Sequence, residues 1–185
     1  MQPIINLPSG NSMFQRGHIL TLGGYWDSDL LDEFEYGLNG LRQVLPRAPG
    51  QKFVTLHLFN FSVSARAVST ALSLVRRTFI EFSTEVAVVA EGDLGEAGLL
   101  FLAGSQRSYR KIFVDTAVEV RLRSNNFSRA VGFNATQSEH QTQPPVELRL
   151  LPAALQQSLL AGETLTPSVL DLPTMGIVDK LLARN

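Results

Sequence analysis

Few residues in this chain could do chemistry, and they are scattered. Serine hydroxyls stand at Ser62 and Ser64 in "FNFSVSA", and the three histidines are His18, His57 and His140. Nucleophilic catalysis needs a hydroxyl or thiol with a base in hydrogen-bond reach, and cysteine is absent altogether. The histidines lie on separate segments with no spacing that sets two metal ligands on one helix face. Each reads as an ordinary strand or loop histidine, and His57, between Leu56 and Leu58, should point away from both. Ser62 or Ser64 could be a nucleophile at the end of a strand, but a serine there more simply caps the helix that follows. The acids Asp27, Asp29, Asp32, Glu33 and Glu35 suggest carboxylate or Ca²⁺ chemistry, yet they sit where a helix begins and complement its dipole. The basic groups Arg76-Arg77 and Arg121-Leu122-Arg123 read as solvated faces or salt-bridge partners.

One stretch has the shape of an active site without the atoms for one. "VAVVAEGDLGEAGLLFLAG" runs over 86–104. Its apolar run meets a Gly-bearing turn and then a helical segment, as a strand feeds a helix in α/β enzymes. The turn offers Gly92, Gly95 and Gly98 among Glu91, Asp93, Leu94, Glu96 and Ala97. It lacks the Lys and Ser/Thr of a phosphate-binding loop, and its carboxylates would repel phosphate. No cofactor or metal is implied.

Composition narrows the field further. The chain has 185 residues, 44% hydrophobic and 18% charged, with 16 basic against 17 acidic residues and a net charge of −1. That is enough chain for one domain with a core. It makes no field to recruit nucleic acid or an anionic membrane. No apolar run reaches the ~18 residues of a membrane span. The start "MQPIINLPSGNSMF" lacks a basic segment and is broken by prolines, unlike a signal peptide. The expected location is the cytoplasm, although a virion or organelle interior would leave the same composition. Sequons at Asn60, Asn126 and Asn134 read as chance, since the pattern is permissive.

The elements that position these residues repeat one grammar of strand, turn and helix. "HILTLGG" turns through "YWDSD" into "LLDEFEYGLNGLRQVL", where Leu30, Phe34, Leu38, Leu41 and Leu45 make an apolar stripe and Ser28 or Asp29 could cap. "KFVTLHLFN" turns through "FSVS" into "ARAVSTALSLVRRTF". The third unit pairs a strand over 86–90 with a helix over 96–104. "KIFVDTAVEVRLR" then alternates as a further strand whose phase slips near Thr116. Such repetition implies an α/β fold with a mainly parallel sheet packed by helices, and any site at the carboxyl ends of its strands. Residues 124–143 turn polar and loop-like before Pro144-Pro145, the helical "PAALQQSLLAG" and a short β-like "GIVDKLL".

Taken in order, four of these segments resemble the proteolytic subunit of the Clp protease. "HILTLGG" is similar to that family's opening strand, close to R-I-I-F-L-G-G. "VTLHLFNFSVSARAVSTAL" resembles its strand, Gly-Gly loop and helix. "GDLGEAGLLFLAG" resembles its nucleophile turn, G-Q-A-A-S-M-G-A-F-L-L-x-A-G, and "LTPSVLDLPTMGIVDKLL" its closing S-A-x-E-A-x-x-Y-G-L-I-D. The similarity spans about 16–182. It implies one ClpP-like domain of the crotonase type over 1–185, with a core over 16–123, a shortened handle-like region over 124–160 and a closing segment over 161–185.

By this resemblance every catalytic position has been replaced. The family's serine falls on Gly95, its histidine on Arg121 (or Val120 in an ungapped register), its aspartate near Leu160, and its oxyanion-loop Gly-Gly on Val63-Ser64. Gly95 supplies no oxygen, and Arg121 stays protonated and cannot accept a proton. Glu91, Asp93 and Glu96 oppose an oxyanion developing beside them. The expectation is therefore a pseudo-protease, a structural or assembly subunit that associates with itself and with other proteins and not with nucleic acid or membrane. A virion component fits the same description by analogy. The alternatives are a hydrolase with a relocated nucleophile such as Ser64, or a regulatory subunit of an active Clp protease. Acyl-CoA chemistry, found among crotonase relatives, ranks last because no positive patch for CoA phosphates is evident.

Overall fold

The structure, a computed structural model, describes residues 7, 10–44, 53–79, 84–122 and 146–184. Much of the handle-like region expected over 124–160 lies outside the described residues. At the core is a sheet in the order β1-β2-β3-β4-β5-β7, with β6 paired to the far end of β4. The strands are β1 (Ser12–Arg16), β2 (Ile19–Trp26), β3 (Phe53–Val63), β4 (Glu85–Glu96), β5 (Arg110–Phe113), β6 (Ala117–Val118) and β7 (Lys180–Leu182). Among the named strands of the described residues, the β1–β2 pair is antiparallel and the other pairings are parallel. The repeated strand–helix grammar predicts this mainly parallel sheet, and the structure has it. β1, short and without clear alternation, is an addition to that reading.

Three helices line one face of the sheet: α1 (Leu31–Val44), α2 (Val68–Thr78) and α3 (Gly98–Gly104). Of the stripe foreseen, Phe34, Leu38 and Leu41 are buried at 3% exposure or less and Leu30, just ahead of α1, at 7%, while Leu45 lies outside the described residues. Trp26 of β2, Phe34 of α1, Phe101 of α3 and Phe61 of β3 meet edge to face or tilted, with ring centroids 5.6 to 6.3 Å apart. Each such pair adds about 0.5–1.5 kcal/mol beyond the area it buries. The cap before α1 differs from expectation. Asp27, rather than Ser28 or Asp29, accepts the Asp29 N–H at 3.1 Å and opens the 3₁₀ turn Ser28–Leu30 that leads into the helix. The final helix, α4 (Ala153–Leu160), packs beside the 3₁₀ turn Val146–Leu150.

The largest departure from the sequence reading concerns the turn after residue 90. β4 does not stop there but runs on to Glu96, and β3 likewise continues to Val63. Both are creased instead of ended. Asn60 and Gly92 take left-handed backbone at φ 47° and 77°, and the Asn60 Oδ1 accepts the Asp93 N–H at 2.9 Å. The register jumps from Phe59↔Glu91 to Phe61↔Leu94 across the crease. At the same level β2 shifts register between Gly23 and Gly24, and β5 breaks before β6 resumes. A bulge of this kind restores the ladder after an extra residue and bends the sheet. The slip near Thr116 is the sequence trace of that break; the buried Thr116 hydroxyl donates to the Ala90 carbonyl at 3.4 Å.

Candidate functional site

Beyond the crease, side chains alternate between the helix-covered face and an outer face. Trp26, Phe61, Val63, Leu94, Val118 and Val120 point into the core, all 7% exposed or less. Their neighbours Tyr25, Ser62 and Gly95, in direct register across β2, β3 and β4, form a floor on the outer side. The chain after β6 extends this floor, because Glu119 N–H donates to Leu94 O at 2.9 Å and Arg121 N–H to Glu96 O at 3.3 Å. Val120 then pairs antiparallel with Leu165, which draws residues 166–170 up as a facing wall. The result is a cleft of about 890 Å³, lined among others by Ser62, Asp93, Gly95, Glu96, Glu119 and Arg121. Its position, at the carboxyl ends of parallel strands, is where an α/β sheet is expected to carry a site.

The structure brings two of the three positions implied for a triad into this cleft. Gly95 is in the floor and Arg121 beside it, while Val120 is fully buried in the core. Leu160, at the end of α4 and 45% exposed, is not among the residues lining the cleft; the segment alongside Val120 and Arg121 is Leu165–Thr166. Val63 is buried at the end of β3. Ser64 is buried too, its Oγ accepting the Ala67 N–H at 3.2 Å and its own N–H donating to Trp26 O at 2.8 Å. The bond opens the turn that precedes α2 and does not cap the helix itself, whose N-cap residue, Ala67, has no side-chain cap.

Ser62 is the residue whose role sequence reasoning missed. The one-residue bulge at Asn60 flips the alternation of β3, so Ser62 faces the cleft and not the helices. A Cβ built on Gly95 would lie 2.5 Å from the Ser62 Oγ. The hydroxyl of the neighbouring strand thus occupies the space in which a side chain at 95 would begin. No positive φ sets Gly95 apart, so crowding by Ser62 is the structural reason for glycine there. Gly95→Ala is expected to cost about 1 kcal/mol as Ser62 is forced to another rotamer. Adding Ser62→Gly should remove most of that cost, and a double-mutant cycle on urea unfolding free energies would show it as coupling between the two sites. Strictly additive costs would refute the crowding.

A second chemical grouping lies outside the cleft, on the outer face below the crease. As the alternation with Leu56 and Leu58 predicts, His57 points to that face. Its Nε2 lies 2.9 Å from Glu91 Oε2, and its Nδ1 lies 3.4 Å from the Thr21 hydroxyl. Hydroxyl, imidazole and carboxylate are therefore in series. Thr21 is mid-strand, paired with β1 on one side and β3 on the other, so the ladders on both sides take up the neighbouring backbone N–H groups. Glu91 is also shared, with Arg184 2.9 Å from its other oxygen and Arg184 in turn bonded to Asp115.

The chain matches no protein-family model and no curated protein sequence. Among solved structures it is similar to ClpP1 from Listeria monocytogenes, with a TM-score of 0.60 and 13% identity over 91% of this chain and 93% of that one. The chain therefore has a ClpP-like α/β fold, and at that identity the likeness speaks for fold alone. Among the described residues no helix is long and apolar enough to cross a membrane.

Proposed function

We propose that this chain is a non-catalytic member of the ClpP-like fold, a pseudo-protease whose work is structural: it builds an assembly with its own copies or joins other proteins in one. The observation that carries this reading is the floor of the cleft. Ser62 fills the volume a nucleophile at 95 would need, and the neighbouring Arg121 has no lone pair to act as base. Asp93, Glu96 and Glu119 add negative charge where acyl transfer would develop an oxyanion. An assembly role asks only for interfaces, and a component of a virion or a larger particle is consistent with it. Purified protein is expected to form a defined oligomer by native mass spectrometry while turning over neither casein nor fluorogenic peptides.

A relocated nucleophile is the competing reading, favoured by the Thr21–His57–Glu91 series and by Ser64. Ser64 is weakened by burial and by its bond to Ala67. A serine-reactive fluorophosphonate should leave the chain unlabelled. Labelling abolished by Ser64→Ala or Thr21→Val would sink the non-catalytic reading and establish the hydrolase. A subunit that enters the rings of an active Clp protease, or docks an unfoldase, would instead co-purify with that enzyme.

A further inference from the structure

The strands around the crease leave a gap that a distant part of the chain closes. Pairing of β4 with β5 ends at Ala90↔Ile112, and pairing of β4 with β6 begins at Asp93↔Ala117. Residues 113–116 thus cross the break opposite Glu91 and Gly92, and the longer stretch must bow away from the shorter. Val114 and Thr116 within this bow, and Ala117 just beyond it, line the cleft. Thr116 is buried at 5% exposure, so the bow lies closed over it.

Residues 180–184 tie the bow down. The Val114 N–H donates to Leu182 O at 2.9 Å, and the Thr116 hydroxyl reaches Ala90 O at 3.4 Å. Arg184 completes the span, with one guanidinium nitrogen 2.9 Å from Glu91 Oε1 and its Nε 2.9 Å from Asp115 Oδ2. The same group lies 5.9 Å from the centroid of the Phe113 ring, within cation–π range. His57 holds the other oxygen of Glu91, Oε2, at 2.9 Å and so leaves Oε1 to Arg184.

The two ends of this segment are held unequally. At its root Asp179 grips Arg110, whose side chain is 6% exposed, and the Asp179 N–H donates to Arg110 O at 2.9 Å. At its tip the Arg184 side chain is 57% exposed and that of Asp115 49%. Exposed ion pairs are weak and screened by salt, whereas breaking a buried one is strongly unfavourable. The root is therefore fixed and the tip releasable.

The geometry points to residues 180–184 as a strap over one wall of the cleft. With Arg184 closed on Glu91 and Asp115, residues 113–116 are held against β4. When ions in solution compete for the guanidinium, the wall moves out and uncovers the cleft at Thr116. The sheet stays folded, because the Asp179–Arg110 pair still anchors β7. This goes beyond the structural role proposed above, since it concerns access to the cleft and holds for a catalytic or a non-catalytic chain.

The chain has no cysteine, so Thr116→Cys places a lone thiol behind the wall. At low salt its rate of reaction with the thiol reagent DTNB should rise about three- to tenfold on Arg184→Met, which removes both ion pairs, and by less on Asp115→Asn, which removes one. About 1 M NaCl, where the Debye length is about 3 Å, should speed the protein that keeps Arg184 and leave Arg184→Met unchanged. Val88→Cys, fully buried in β4, is the control for unfolding and should stay unreactive throughout. Hydrogen exchange on the cysteine-free chain gives an independent reading. Protection of the Val114 and Thr116 amides should fall in Arg184→Met while that of Leu56 and Leu58 in β3 is retained. Labelling and exchange that ignore Arg184→Met, or a labelling rate indifferent to salt when Arg184 is present, would overturn the strap. So would Val88→Cys reactivity rising in step with Thr116→Cys, which would mean general loosening. Peptide turnover would strike at the non-catalytic reading and leave the strap standing.

Discussion

Asp179→Ala is expected to lower the unfolding free energy by about 2–4 kcal/mol, the loss that follows when a buried charge is deprived of its partner, moderated by water at one side. Arg110 is the charge at stake, its side chain only 6% exposed against 24% for Asp179. The carboxylate accepts from Arg110 three times, from its Nε at 2.9 Å, its Nη2 at 2.8 Å and its backbone N–H at 2.9 Å. The guanidinium also donates to Ala103 O at 3.3 Å, near the end of α3. Asp179 thereby fastens the strand that follows it, β7, to β5 and to the helix layer. Hydrogen bonding from the Arg110 guanidinium holds the Asp179 carboxyl below the ordinary aspartate range. A carboxyl depressed in the folded state stabilises above its unfolded pKa, and that stability is lost as pH falls through the folded value. Asp179→Asn should therefore cost most at neutral pH and converge on wild type in acid. Urea titrations between pH 7 and pH 3 would check both points, and a gap that widened toward acid would contradict the assignment.

Gly92→Ala is the second large effect, a loss of about 2–3 kcal/mol from left-handed backbone together with crowding. Gly92 sits at φ 77°, and a Cβ there would run into the Asn60 Oδ1 that accepts the Asp93 N–H. Relief would require Asn60 to release that bond, leaving the Asp93 N–H unmatched. The crease governs which face Ser62 presents, so the damage should reach the cleft as well as the stability. Amide exchange at Ser62 and Gly95 should rise alongside the fall in melting temperature. A variant as stable as wild type would mean that the crease is not under this constraint.

Much of the architecture can be read directly from particular residues. The stripe Phe34, Leu38, Leu41 repeats at helical spacing because that face is buried, and it is buried. Leu56, His57 and Leu58 alternate as a strand does, and His57 lies on the far side of the sheet from its neighbours. "GIVDKLL" reads as a short strand ending; Ile177 and Val178 are core residues, and β7 begins at Lys180. Where the reading failed, a local conformation had broken the period. Residues 91–96 look like a turn because they hold two glycines and three acids, but Asn60 and Gly92 absorb the irregularity and the ladder continues.

By itself the sequence determined the strand–helix order and the parallel sheet, because hydrophobic periodicity is a local property that each segment carries. It also determined that position 95 lacks an oxygen and position 121 a base, since side-chain chemistry does not depend on packing. Only the tertiary structure decided that Ser62 crowds Gly95, that Arg121 and not Val120 faces the cleft, and that Leu160 stays out of it. It alone joined Thr21, His57 and Glu91, and Asp179 with Arg110. These are contacts between residues 33 to 69 apart in the chain or alternations reset by a single bulge. No window of sequence holds both partners of such a contact, so the three-dimensional register had to supply them.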